Sequence, residues 1–222
     1  MNASELPLLI IGNKNYSSWS LRAWLLLRVC GVPFDELRLP LDTPEFAARI
    51  AQLSPNRRVP ALHDGAVRIW DSLAIAEYAN ERWLAGRGWP ADAHARAVAR
   101  AVSAEMHSGF IALRRELPFN CARRASGVRL GDDAAADVAR VLAIWEEARR
   151  RFGAGGGFLF GDFCIADAMY APVALRFVSH GVALDGVARA YVDALLALEA
   201  MSEWLAAAAT EEKSDLHERI LP

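Results

Sequence analysis

The chain is 222 residues long and 54% hydrophobic, enough to bury a substantial core as one large domain or two small ones. Its 25 basic and 27 acidic residues leave a net charge of −2 with no block of either sign, which argues against nucleic acid and anionic membrane surfaces as partners. No apolar stretch reaches the roughly 18 residues of a membrane helix, and MNASELPLLIIG lacks the basic n-region and cleavage pattern of a secretory leader, so a cytoplasmic protein is expected.

The first third of the chain alternates in character. Leu8 to Gly12 (LLIIG) reads as a short buried strand, Ser20 to Cys30 as a helix, and Phe34 to Leu39 as a second strand after Gly31. A helix opens at TPEF, where Asp42 or Thr43 caps it and Pro44 sits in the first turn, where a missing N–H costs nothing. Beyond the SPNRR turn, Val59 to Leu62 and Val67 to Trp70 flank HDG as a hairpin, and a helix runs from Ser72 to about Trp83. The order is βαβ, then ββα. GRGWPAD, residues 86–92, breaks the pattern and leaves Asp92 to cap the next helix. From there Val98, Val102, Met106, Gly109 and Leu113 recur at helical spacing, as do Val138, Val141, Leu142 and Trp145, and no strand pattern returns. The GAGGG stretch at 153–157 reads as a loop that ends a helix. A mixed α/β domain over residues 1–84 is therefore expected before an all-helical domain over 92–222.

Three widely spaced cysteines, Cys30, Cys121 and Cys164, form no CxxC and read as free thiols. The histidines, His63, His94, His107, His180 and His217, show no HxxxH or HxxEH spacing, so no metal site is expected. GxGxxG, GxxxxGK[ST] and GxSxG are all missing from the sequence, which argues against dinucleotide, P-loop and serine-hydrolase chemistry.

The stretch NYSSWSLRAW carries three serines where one would cap the helix. It leaves a strand at its C-terminal end, where α/β sheets place ligands, and opens a helix whose free N–H groups favour an anion. On the local pattern, one of Ser17, Ser18 and Ser20 caps and the others are solvated. Val59-Pro60 fits either a trans proline opening an edge strand or a turn with a cis peptide, the former being the ordinary case. Asp71 reads first as a helix N-cap, although a partly exposed capping carboxylate and the Ser72 hydroxyl also suit the charged groups of an α-amino acid.

SSWSLRAW, RRVPAL, WDSLAIAEY and GDFCIADAMYAP, in that order, resemble the cytosolic glutathione S-transferase family over essentially the whole chain, with the serine-using, zeta-like (maleylacetoacetate isomerase) branch nearest. The resemblance implies a thioredoxin-like N-terminal domain, an all-helical C-terminal domain, a homodimer, and glutathione as cofactor or co-substrate. It implies that Ser17 hydrogen-bonds the glutathione sulfur with Ser18 assisting, and that Arg58 and Val59, across a cis-Pro60, contact the tripeptide. Asp71 and Ser72 would hold its γ-glutamyl end. Met106, His107, Phe110 and Arg114 would border the pocket for a small, apolar electrophile.

One hydroxyl is enough for that chemistry. A free thiol with a pKa near 8.5 is only a few per cent ionised at neutral pH. A hydrogen bond to a charged group contributes roughly 1.5–3 kcal/mol, or one to two pKa units. Two positions depart from the pattern. Trp19 stands where the zeta-like motif commonly has cysteine, which weakens a thioltransferase role, and Cys164 replaces the Ser or Thr of a later capping box while Asp167 remains. The resemblance thus implies a glutathione transferase of the detoxification type. Alternatives are a glutathione-dependent cis–trans isomerase of aromatic amino-acid catabolism, a peroxidase or thiol reductase, and a non-catalytic ligand-binding module.

Overall fold

The computed structural model describes residues 6–125 and 127–218. The first five residues of the stretch read for a leader, and the side chain of His217, lie outside the described residues. The elements run β1 (Leu8–Ile11), α1 (Ser18–Val29), β2 (Asp35–Arg38), α2 (Pro44–Leu53), β3 (Ala61–Asp64), β4 (Val67–Trp70) and α3 (Ser72–Arg82). They continue with α4 (Ala93–Ser108), α5 (Ile111–Glu116), α6 (Asp132–Phe152), α7 (Ile165–His180), α8 (Gly186–Leu196), α9 (Glu199–Ala209) and α10 (Asp215–Glu218). This is a thioredoxin-like α/β layer followed by an all-helical region.

The sheet order is β2-β1-β3-β4. β1 pairs in parallel with β2, Leu8 opposite Asp35 and Ile11 opposite Arg38, and antiparallel with β3, Leu9 opposite Leu62. β1 is apolar throughout because both its faces are covered. Leu9 and Ile11 face the main core with α1 and α3, while Ile10 faces Leu39, Ile50 and Ala61 beneath α2. The β2 edge is charged, with Asp35, Glu36 and Arg38 on it, which blunts its open hydrogen-bonding groups.

Capping chemistry fixes the helix starts. Thr43, not Asp42, caps α2 by accepting from Phe46 N at 3.1 Å, and Asp92 accepts from Ala95 N at 2.8 Å to open α4. The helical run expected to continue past Gly109 is broken: α4 ends at Ser108 with Gly109 as its C-cap, and Phe110 takes a left-handed φ of 59° before α5 begins. Two isolated β-bridges, Phe158 to Gly161 and Phe160 to Asp162, lie in the region expected to be free of strand pairing.

α7 is buried along nearly its whole length and packs on both α1 and α4, so it joins the sheet layer to the helices. Its start is held by Asp167, fully buried, which accepts Leu159 N at 3.0 Å and Cys164 N at 2.9 Å. Burial pushes the Asp167 carboxyl up to about 6 despite those two N–H donors. Cys30, Cys121 and Cys164 are free thiols, as read; burial pushes Cys121 up to about 12 and Cys164 upward as well, so these two are packing groups and not nucleophiles.

Candidate active site

Ser17 is the N-cap of α1, with Oγ accepting from Ser20 N at 3.2 Å. Its hydroxyl donates to Ser20 Oγ at 2.7 Å, and Ser20 Oγ accepts from Gly12 N at 3.1 Å. The serines are not solvated: Ser17 is 6% exposed, Ser18 5% and Ser20 0%. The extra hydroxyls tie the end of β1 to the start of α1. Ser18 Oγ, expected to assist at the sulfur, accepts from Arg176 Nη2 of α7 at 3.2 Å.

The Val59-Pro60 peptide is cis, and β3 lies inside the sheet between β1 and β4, so the ordinary reading of a trans proline on an edge strand is overturned. Arg58 is exposed, its backbone N–H donating to Asn56 Oδ1 at 2.9 Å. Asp71 sits at φ 97°, ψ 133°, a region that residues with a Cβ rarely adopt. Its side chain helps to hold that conformation, because Oδ1 accepts Leu73 N at 2.9 Å and Ala74 N at 3.1 Å, capping α3. Ser72 follows, 1% exposed, with a buried Oγ that has no hydrogen-bond partner among the described residues.

From α4, His107 Nε2 reaches Asp71 Oδ2 at 3.0 Å. Burial lowers the His107 pKa, with Arg22 and Arg114 adding to it and Asp71 opposing, so the ring is mainly neutral at pH 7. It also packs edge-on against Trp19, ring centroids 5.2 Å apart. That contact chain runs from Asp71 through His107 to Trp19, two residues from Ser17, and brings α1, α3 and α4 to one place. Met106 and Phe110, expected at the electrophile pocket, are 2% and 6% exposed and pack into the main core.

Arginines crowd the same place. Arg114 lies over Trp19 at 5.0 Å from the ring centroid, its guanidinium hydrogen-bonded to the carbonyls of Met106, His107 and Gly109. Arg22 lies over the same ring at 4.3 Å and is 2% exposed, with Nε and Nη1 unpartnered among the described residues. Burial first, then the charges of Arg114 and Arg176, pushes Arg22 down to about 9. Sequence reasoning passed over Arg22, although a single cation inside the apolar run LRAWLLL, one turn after Ser18, was a signal for it. Among the described residues no group of three His, Cys, Asp or Glu side chains gathers as for a metal ion.

The family model for the glutathione S-transferase N-terminal domain matches residues 16–82, the segment that holds Ser17, Val59-Pro60, Asp71 and Ser72. A glutathione transferase homolog from Burkholderia gl BGR1, solved with bound glutathione, superposes with a TM-score of 0.68 at 25% identity, covering 93% of this chain and 99% of that one. Residues 16–82 thus match the N-terminal domain of the glutathione S-transferase family, and the fold is shared with that homolog over nearly the whole chain. A glutathione S-transferase from the Antarctic clam Laternula elliptica shares the fold at a TM-score of 0.72 and 20% identity, over 94% of this chain and 96% of that one. Maleylacetoacetate isomerases of Rattus norvegicus and Mus musculus are each 31% identical over 106 residues, 46% of this chain and 48% of the relative. The match thus spans about half the length of these curated relatives. Within residues 16–82, a buried hydroxyl with no hydrogen-bond partner among the described residues and a capping carboxylate lie together at the start of α3, and a hydroxyl sits at the helix start beyond β1.

Proposed function

We propose that this chain is a glutathione transferase, cytoplasmic and homodimeric, in which residues 1–84 bind glutathione and residues 92–222 supply the wall against the electrophile. The observation that carries the reading is Ser72 Oγ, buried and without a hydrogen-bond partner among the described residues, beside the strained Asp71. Such a hydroxyl costs stability unless a ligand completes it. Asp71 Oδ2 would receive the ligand's ammonium, Ser72 its carboxylate, and Val59 with Arg58 the middle of the tripeptide. Bound glutathione supplies a nucleophilic sulfur.

Ser17 donates a hydrogen bond to that sulfur's charge. In the free protein its hydroxyl donates to Ser20; turning both hydroxyls reverses that 2.7 Å bond, so that Ser20 donates to Ser17 and the Ser17 proton is released toward the ligand. Ser17 keeps the N–H of Ser20 throughout, and the α1 N-terminus adds a smaller favourable field. The thiol proton leaves to solvent, so no protein base is required.

A second reading is favoured by the guanidinium groups around Trp19. Arg22 and Arg114 suit a carboxylate-bearing electrophile better than the apolar one expected from sequence, and maleylacetoacetate, named for the mammalian relatives, carries carboxylates. The test is calorimetry with glutathione, then turnover of an activated aryl chloride and of maleylacetoacetate. Glutathione binding with Ser17-dependent turnover of either substrate supports the proposal; absence of binding refutes it. Preference for the dicarboxylate would select the isomerase.

A further inference from the structure

We propose that the segment after α9 is a clasp on the loop that presents Ser17, with Glu211 as its positioning residue; the catalytic half of this proposal rests on the reading of Ser17 given above. The three residues that precede Ser17 are each gripped from far along the chain. Glu211 Oε1 accepts the backbone N–H of Lys14 at 2.8 Å, and Oε2 accepts that of Asn15 at 3.0 Å, across 197 and 196 residues. Arg38 of β2 pairs with the same carboxylate at 3.1 Å, and the Glu211 side chain is only 5% exposed. Tyr16 donates its hydroxyl to Glu218 Oε1 at 2.7 Å and accepts Ser214 N at 3.0 Å. Asn120 Nδ2 meets Glu218 Oε1 at 3.0 Å, and the next residue's N–H, that of Cys121, donates to Asn15 O at 3.1 Å.

The loop needs such a partner. Beyond β1 its N–H groups have no strand ladder to join, and two successive N–H groups aimed one way form a site for an anion. The Glu211 carboxylate fills that site from within the chain. Ser17 N in turn bonds Asn13 O at 2.8 Å, so the frame from 13 to 16 sets where the Ser17 hydroxyl points. A hydroxyl that must meet a sulfur tolerates displacements of well under ~1 Å, so Glu211 acts on the chemistry through Ser17 without touching substrate.

The test compares the full-length Glu211→Gln protein with Glu203→Gln, which removes an exposed pair with Arg28 elsewhere on the same C-terminal part. Amide hydrogen exchange in the free protein is expected to accelerate about 10-fold or more at Lys14 and Asn15 in Glu211→Gln alone. With glutathione bound, the thiol pKa is expected to rise toward its free value and kcat to fall while KM for glutathione holds within about threefold. Unchanged exchange overturns the clasp, and faster exchange with an unshifted thiol pKa reduces Glu211 to a structural tie and overturns its positioning role. A wild-type protein that binds no glutathione would sink the function reading and the catalytic half with it, while the exchange rates still decide the clasp. If Glu211→Gln does not fold, Tyr16→Phe, which deletes the hydroxyl between Ser214 and Glu218, is judged by the same two measurements.

Discussion

Replacing Ser72 by alanine should push stability and binding in opposite directions. Ser72 is 1% exposed and its Oγ has no partner among the described residues. A buried hydroxyl without a partner costs about 1–3 kcal/mol by mutational measures, and alanine is the better helix former by a few tenths of a kcal/mol. The cavity left by one oxygen is small, so Ser72→Ala is expected to raise the stability of the free protein by about 1 kcal/mol. In the complex the same hydroxyl would bond a carboxylate, worth roughly 1.5–3 kcal/mol, so the dissociation constant for glutathione should rise about 10- to 100-fold. Urea unfolding with and without glutathione reads both effects at once, because a ligand stabilises in proportion to the logarithm of its concentration over Kd. The variant should begin above the wild type and gain less from ligand. Ser103→Ala removes another buried hydroxyl with no partner among the described residues, on α4, and should stabilise without the binding loss. A Ser72→Ala protein that is less stable when free, or that gains as much from glutathione as the wild type, would refute the assignment.

Asp71→Ala should weaken glutathione binding about tenfold or more and also destabilise the free protein, since it strips the α3 cap and the His107 contact; calorimetry showing unaltered affinity would count against its role. Asp167→Ala should cost about 3 kcal/mol in urea unfolding, because two buried N–H groups lose their acceptor. The pH dependence has an unusual sign for a carboxylate. The folded pKa of Asp167, about 6, lies above its ordinary 3.8, so its contribution is complete below pH 4 and is lost as pH rises to 6. Relative to Asp167→Asn, the wild type should therefore lose stability across that window, and a gain would contradict the account. Val67 and Trp70, each 43% exposed on the β4 edge, are expected to lie in a homodimer contact, so Trp70→Glu should yield a monomer by analytical ultracentrifugation; an unchanged mass would remove that surface from the interface.

The sheet layer was legible in sequence because its periods are short and its punctuation is strong: LLII must be covered on both faces, Pro44 and Thr43 open α2, and Asp92 opens α4. The proposed site was suggested only by the joint occurrence of Ser17, Val59-Pro60 and Asp71-Ser72, since each has a commonplace structural role by itself. What could not be read was set by tertiary contacts. Nothing in SSWS says that Ser18 would face Arg176 on α7, 158 residues away. The helical spacing through Leu113 holds on both sides of Gly109, so periodicity did not reveal the left-handed turn at Phe110 that ends one helix and starts another. Arg22 was hidden because helical position alone does not tell a snorkelling cation from one sealed between Trp19 and the helices. Glu211 was hidden because loop N–H groups have no sequence signature for their acceptor.

The central claim is that Ser17 stabilises an ionised glutathione sulfur, and the direct measurement is the pH titration of the bound thiol by ultraviolet difference absorption in wild type and Ser17→Ala. The account predicts a thiol pKa about one to two units below the free value of about 8.5 in the wild type, returning toward that value in the variant while glutathione still binds. A bound thiol that titrates at its free value in the wild type, or at the same lowered value in both proteins, would contradict it.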